Sequence, residues 1–252
     1  MFKNAITRLP GKNFSNGITT SNLGKPDYEK TCRQHKLYCL ALENCGVKVK
    51  TLEFDLDFPD STFVEDTAVM TEKCAIISRP GDMARRGEEV KMEKVLSEIM
   101  DIQKIQSPGT LDGGDILRAE NHFFIGVSAR TNKEGAKQLA EILEKNNFSA
   151  SLINVEKYLH LKSGANYIGN NIMVLTPEMS KYKEFNAYTK IVVPEEEEYA
   201  ANCIEVNGRL LIAAGFPETK KLLSKTGYKI IEIEVSEFEK MDGGLSCLSL
   251  RF

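Results

Sequence analysis

An α/β protein made of about five loosely repeated strand–helix units is the fold class this sequence predicts. Short apolar runs at 74–78, 123–127, 172–175 and 210–214 each have the length and flanks of a buried strand leaving into a polar loop. Three of them are followed by sequence of helical pattern, at 88–100, 134–145 and 218–226. The runs recur at intervals of about 40 to 50 residues, a range in which internal repeats build propellers, solenoids or arrays. With an N-terminal strand added, five strand–helix units fill the length. No linker composition separates them, so residues 1–252 read as a single domain. A generic α/β protein whose strands recur by chance would show the same periodicity.

Composition narrows the class of function. The 252 residues carry 33 Lys and Arg against 36 Asp and Glu, a net charge of −3 with the signs interspersed. There is no basic stripe with interleaved aromatics, so nucleic acid is not an expected partner. No apolar run is long enough to span a bilayer and the first residues lack a signal-peptide core, which points to the cytoplasm. Six cysteines (Cys32, Cys39, Cys45, Cys74, Cys203 and Cys247) lie far apart without a CxxC pair, which argues against a zinc site and against a disulfide framework.

The elements follow in order. Residues 5–10 read as a short strand running into a loop. The segment 11–24, rich in Gly, Asn, Ser and Thr, is of the kind that serves as a lid, or equally as a mobile surface connection. Asp27 caps a helix whose Tyr28, Cys32, Cys39 and Leu42 share one face, with His35 as a structural residue and Gly46 at its end. Residues 47–54 alternate as a strand. At the far end, Gly243 and Gly244 allow a sharp turn before a last strand that begins at Leu245, with Cys247 at its mouth.

Several stretches carry side chains suited to chemistry. Residues 58–66 (FPDSTFVED) hold the carboxylates of Asp60, Glu65 and Asp66 among aromatic and β-branched residues. Carboxylates resist burial unless a cation meets them, and a planar guanidinium is the best geometric match; a solvated acidic loop after Pro59 is the plainer alternative. Arg85 and Arg130 each follow a buried strand and are placed to bind the carboxylate of a small substrate, although single surface arginines are common. In residues 107–116 (SPGTLDGGDI), acidic residues flank a Gly-Gly turn beside a strand, where a turn with Asx hydrogen bonds competes with a functional explanation. Cys247 is either a small core residue or a nucleophile, and a nucleophile needs a proton carrier because a free thiol is only a few per cent ionised at neutral pH. Among His35, His122 and His160, the last has the best context: His122 follows what reads as a surface turn.

Taken together, these stretches resemble the dimethylarginine dimethylaminohydrolases, within the guanidino-group-modifying superfamily that includes arginine deiminases and amidinotransferases. The likeness runs through LGKPDY at 23–28, FPDSTFVED at 58–66, GTLDGGDIL at 109–117, SARTN at 128–132, HLKSG at 160–164, YAANCI at 199–204 and DGGLSCLSLRF at 242–252, and it is nearest to the short bacterial members. The resemblance implies a five-bladed α/β propeller of pseudo-symmetric ββαβ units. It implies Cys247 as nucleophile, His160 as general acid and base, and Asp112 as the carboxylate that orients His160. It places Asp66, with Asp60 and Glu65, at the substrate guanidinium, Arg85 and Arg130 at the substrate carboxylate, Ile18 in the lid, and the backbone at Met241 at the α-amino group. Bacterial relatives often carry glutamate in place of Asp112 and leucine in place of Ile18. The implied reaction is hydrolysis of an Nω-methylated L-arginine to L-citrulline and a methylamine, with a small-molecule substrate, no metal or other cofactor, and a homodimer as the candidate assembly. An arginine deiminase would use the same residues, and a non-catalytic amino-acid-binding protein would have no need of a nucleophile.

Overall fold

The computed structural model describes residues 1–252. The chain divides into two compact units, Met1–Phe63 with Gly164–Phe252, and Val64–Ser163. One motif recurs through both: a buried central strand pairs antiparallel with a short neighbour and parallel with an outer strand reached by a crossover.

In chain order, β1 (Asn4–Arg8) is followed by α1 (Tyr28–Asn44) and β2 (Lys48–Leu52), with β1 and β2 parallel from Asn4↔Lys48 to Arg8↔Leu52. Residues of Val64–Ser163 form β3 (Ala68–Met70), β4 (Cys74–Ile77), α2 (Glu88–Ser97) and β5 (Asp101–Lys104), then β6 (Ile116–Ala119), β7 (His122–Val127), α3 (Lys133–Lys145) and β8 (Ser149–Asn154). The chain then builds β9 (Ala165–Tyr167), β10 (Ile172–Leu175) and β11 (Thr189–Val192), followed by β12 (Ile204–Val206), β13 (Arg209–Ala213), α4 (Pro217–Leu223) and β14 (Lys229–Ile233). After α5 (Ser236–Glu239), β15 (Leu250–Arg251) returns to pair antiparallel with β1. The result is five three-stranded sheets, β15-β1-β2, β3-β4-β5, β6-β7-β8, β9-β10-β11 and β12-β13-β14. These are the repeated units of the five-bladed α/β propeller class, with the two ends of the chain sharing one sheet.

All four apolar runs are central strands, β4, β7, β10 and β13, hydrogen-bonded along both edges and buried along most of their length. The unit around β10 lacks an α-helix and crosses over through 3-10 turns at Met179–Lys181 and Lys183–Phe185. Within Val64–Ser163 the core joins Ile76, Leu111, Phe123, Ile125 and the α3 stripe Ala136, Leu139 and Leu143. The i, i+3, i+7 spacing of that stripe puts all three on one helical face. In the other unit, Phe14, Phe63 and Phe238 meet edge to face with centroids 5.6 to 6.3 Å apart, so the segment 11–24 is anchored by a buried ring.

The helix α1 departs from expectation. Asp27 caps it, accepting from Lys30 N–H at 2.7 Å, and Gly46 follows its end at φ +81°. The buried stripe, however, is Thr31, Gln34, His35, Tyr38, Ala41 and Leu42, while Cys32 and Cys39 are only partly covered. Polar residues take that face because partners await them: Gln34 reaches Glu234, Ser236 and the Glu237 N–H, and Tyr38 bonds Ser249. His35 is buried and uncharged, its pKa drawn down to about 4 by burial. None of the helices is long and apolar enough to cross a membrane.

Candidate active site

Within Val64–Ser163, 3-10 turns rather than strands carry the polar groups. Asp66 lies on the turn Val64–Thr67, Asp112 directly precedes the turn Gly113–Asp115, and His160 directly precedes the turn Leu161–Ser163. One side-chain atom from each of Asp66, Asp112 and His160 lies within 4.8 Å of the other two. His160 Nε2 faces Asp112 Oδ2 at 3.2 Å, and Asp112 Oδ1 accepts from Gly81 N–H at 2.9 Å. Asp66 accepts from Gly114 N–H at 2.9 Å and from Arg85 Nη1 at 2.6 Å. Gly114 is required here by close approach: a Cβ would stand 2.6 Å from His160 Nδ1.

Arg85 is buried and its fork is paired. Nε and Nη2 donate to Glu88 at 3.1 and 2.8 Å while Nη1 holds Asp66, a bidentate arrangement that keeps the cation fixed. Arg130 is held more loosely, 3.6 Å from Asp82 and 3.8 Å from Asp112. Glu65 pairs with Lys162 Nζ at 2.6 Å.

Electrostatics in this cluster oppose desolvation. Burial pulls the His160 imidazole toward its neutral form, but Asp66, the Asp112 hydrogen bond and Asp115 together raise its pKa to about 9. Burial pushes Asp66 up, and His160 and Arg85 override it, leaving Asp66 at about 2. The pair therefore stands as imidazolium and carboxylate at neutral pH. Asp66, Asp112 and His160 offer a metal ion three donor atoms, but binding would require His160 to lose its proton and Asp66 to share lone pairs already given to Arg85 and Gly114. The arrangement serves better as a proton donor beside an anion.

The remaining expected residues lie in the other unit. Cys247 is not at the mouth of a strand but in the 3-10 turn Ser246–Leu248, with β15 starting only at Leu250. It is partly exposed, and Gly244 N–H points at its sulfur from 3.4 Å, a contact that favours sulfur carrying negative charge. The positive φ in this loop falls on Asp242, at +58°, not on the glycines. Gly243 is needed for space, since a Cβ would meet the Phe63 ring at 2.1 Å. Asp60 accepts from Ile18 N–H at 3.1 and 3.2 Å, Thr20 N–H reaches Asp242 at 2.6 Å, and Thr19 Oγ1 and Asn13 Nδ2 donate to Lys240 O and Asp55 O, so the segment 11–24 is fastened at several points. The Met241 side chain is buried in the core.

Other residues with roles here were not singled out from the sequence. Asn202 clasps Ser246, donating to its Oγ at 3.0 Å and accepting from its N–H at 2.9 Å, while Tyr199 OH donates to Gly243 O at 2.8 Å. Both belong to YAANCI, where the motif itself was the available signal. Cys203 of that stretch is a packing thiol, buried and pushed up to about 12 by desolvation. Glu88, Asp115, Ser128 and Thr131 complete the polar network of Val64–Ser163.

Known proteins resemble this chain in sequence and fold. The family described as Arginine deiminase matches residues 48–211. The chain is 46% identical over 254 residues to an N(G),N(G)-dimethylarginine dimethylaminohydrolase of Pseudomonas aeruginosa, covering all of both chains. A solved structure of DDAH from Pseudomonas aeruginosa, a Cys→Ser mutant complexed with citrulline, superposes with a TM-score of 0.99 at 46% identity over the whole of both chains. A second, a dimethylarginine dimethylaminohydrolase His→Gly adduct with S-methyl-L-thiocitrulline, gives 0.98 at 46% identity and the same full coverage.

Proposed function

The chain belongs to the dimethylarginine dimethylaminohydrolase group of the arginine deiminase family, and from that premise we propose that it hydrolyses Nω-methylated L-arginines to L-citrulline and dimethylamine or methylamine. Cys247 is the nucleophile, His160 the proton carrier and Asp112 the carboxylate that orients His160. Asp66, with Asp60 and Glu65, serves the guanidinium end. Arg85 and Arg130 serve the substrate carboxylate, Ile18 the lid, and the Met241 backbone the α-amino group. The whole of residues 1–252 acts as one domain.

A guanidinium is a weak electrophile because its charge is delocalised, so anions near its nitrogens help to localise that charge. The Cys247 thiolate attacks the central carbon, and His160 as imidazolium protonates the departing amine nitrogen as the C–N bond breaks. An S-alkylthiouronium remains on Cys247. His160, now neutral, takes a proton from water; the hydroxide oxygen bonds to the carbon, the C–S bond breaks to release the thiolate, and the hydroxyl proton passes to solvent water as the C=O of citrulline forms. Acid–base assistance of this kind is worth about 10²–10⁴ in rate. Every proton is accounted for by His160 and water, so the cycle needs no cofactor. The enzyme would act in the cytoplasm on a free amino acid, without nucleic acid or membrane, with a homodimer as the candidate assembly.

The observation that supports this most is the buried His160–Asp112 pair, with His160 held charged by its carboxylate neighbours. A protonated imidazole is what a poor amine leaving group requires. The test is citrulline formation from asymmetric dimethylarginine, monomethylarginine and arginine in parallel. Turnover of the methylated substrates, lost in Cys247→Ser, is the expected result. Preference for plain arginine would make the chain a deiminase, and binding without citrulline would make it an amino-acid-binding protein.

A further inference from the structure

We infer that Asp115 is a positioning residue for this reaction, its single buried carboxylate fixing the three segments that carry Asp112, Arg130 and His160. The inference rests on the proton-carrier role of His160 proposed above. Asp115 is fully buried, yet its hydrogen-bond partners are all uncharged: Ser128 Oγ and Thr131 Oγ1 donate to Oδ2 at 2.7 Å each, and Leu161 N–H donates to Oδ1 at 3.0 Å. Burial accordingly pushes its pKa up, against the pull of His160 and these three donors. A carboxylate in such a place is expensive compared with an apolar or amide side chain, so its retention calls for a use.

Each partner leads to a different functional residue. Thr131, while donating to Asp115, accepts from Asp112 N–H at 3.1 Å and so sets the backbone of the residue that faces His160. Ser128, while donating to Asp115, accepts from Arg130 N–H at 3.0 Å and Thr131 N–H at 3.2 Å, which shapes the turn that presents the Arg130 side chain. Leu161 is the residue after His160, so its N–H bond pins the backbone that aims the imidazole. Both hydroxyls must donate to Oδ2, which leaves their oxygens as acceptors only. The negative charge of Asp115 thus fixes the direction of every bond in the chain, and a neutral side chain would not. It also explains the second acid of the DGGD turn: Asp112 meets His160 directly, and Asp115 holds both in place from the other side.

The charged groups around His160 are Asp66, Asp112 and Asp115, with Arg85 behind Asp66 and Arg130 behind Asp112. Asp115→Asn keeps the volume and one acceptor but removes the charge and turns one oxygen into a donor. Citrulline production by this variant is expected to show kcat lowered about 10- to 100-fold, with KM for asymmetric dimethylarginine changed far less. The His160 imidazole, followed by NMR, should titrate at lower pH than in the wild type, a readout that loss of stability alone does not move. Thr131→Val removes both the donor to Asp115 and the acceptor of Asp112 N–H while leaving the Asp115 carboxylate in place, and should lower kcat, while Thr131→Ser, which keeps the hydroxyl, should restore it. A folded Asp115→Asn protein with wild-type kcat and unchanged His160 titration would overturn the inference. If that variant does not fold, equal kcat for Thr131→Val and Thr131→Ser would overturn it instead. A wild type that makes no citrulline sinks the proposed reaction, and the His160 titration still decides for or against Asp115.

Discussion

Burial and charge act on His160 in opposite directions, and charge prevails: the pKa rises to about 9 from the unfolded value of 6.5. A raised pKa contributes stability that is complete below pH 6.5 and is lost as pH climbs through 9. Its partner Asp66, lowered to about 2 from 3.8, contributes above pH 3.8 and loses its share as pH falls through 2. Much of this is one mutual attraction and counts once. On the His160 side it amounts to about 3 kcal/mol at most, or a fall in Tm of about 5–10 °C for a chain of this size. Thermal melts from pH 6 to 10 should show that decline in the wild type and a smaller one in His160→Gln; parallel declines would mean that His160 is not charged in the folded protein. The proposed proton carrier and nucleophile could be picked out because the chain holds few candidates, one histidine in a suitable context and one cysteine in a glycine turn. Asp115 stood out only as one of two acids flanking a Gly-Gly turn, and its role was not legible because it lies in whom the residue touches, with partners 13, 16 and 46 positions away.

Short turns, more than strands, present the polar groups, and each turn is braced by a neighbouring element. The clearest brace is Asn202 on Ser246, one residue before Cys247. Asn202→Ala removes both bonds and should destabilise the fold by about 1–3 kcal/mol, with kcat reduced about tenfold or more because the Cys247 turn is no longer fixed. Asn202→Asp keeps the acceptor for Ser246 N–H and should lie between the two in urea unfolding and in turnover; equal turnover in all three proteins would separate the brace from function. The buried strands were readable because a central strand covered on both faces must be a run of apolar residues, as in β4, β7, β10 and β13. The face of α1 was misjudged because hydrophobicity alone passes over Gln34, His35 and Thr31, which are buried beside partners supplied by distant chain. The last turn was misjudged as a strand because nothing local in LSCLSL announces the clasp by Asn202 or the approach of Phe63 to Gly243.

At the scale of the whole molecule, the recurrence of apolar runs foretold repeated units, and five three-stranded sheets are observed. What periodicity could not supply was the closure of the first unit, where β15 from the C-terminus completes the sheet begun by β1. That pairing is between opposite ends of the chain, so no local pattern encodes it. The proposed chemistry, in which one thiol carries the substrate carbon between two proton transfers, rests on this architecture and on the full-length likeness to the dimethylarginine dimethylaminohydrolases. The most direct test is to quench the protein with acid during turnover of asymmetric dimethylarginine, measure its intact mass, and map the modified peptide. A thiouronium adduct on Cys247 that forms and decays at the rate of citrulline release, absent in Cys247→Ser, is the expected result. Citrulline formed with no adduct on Cys247, or at an undiminished rate in Cys247→Ser, would contradict it.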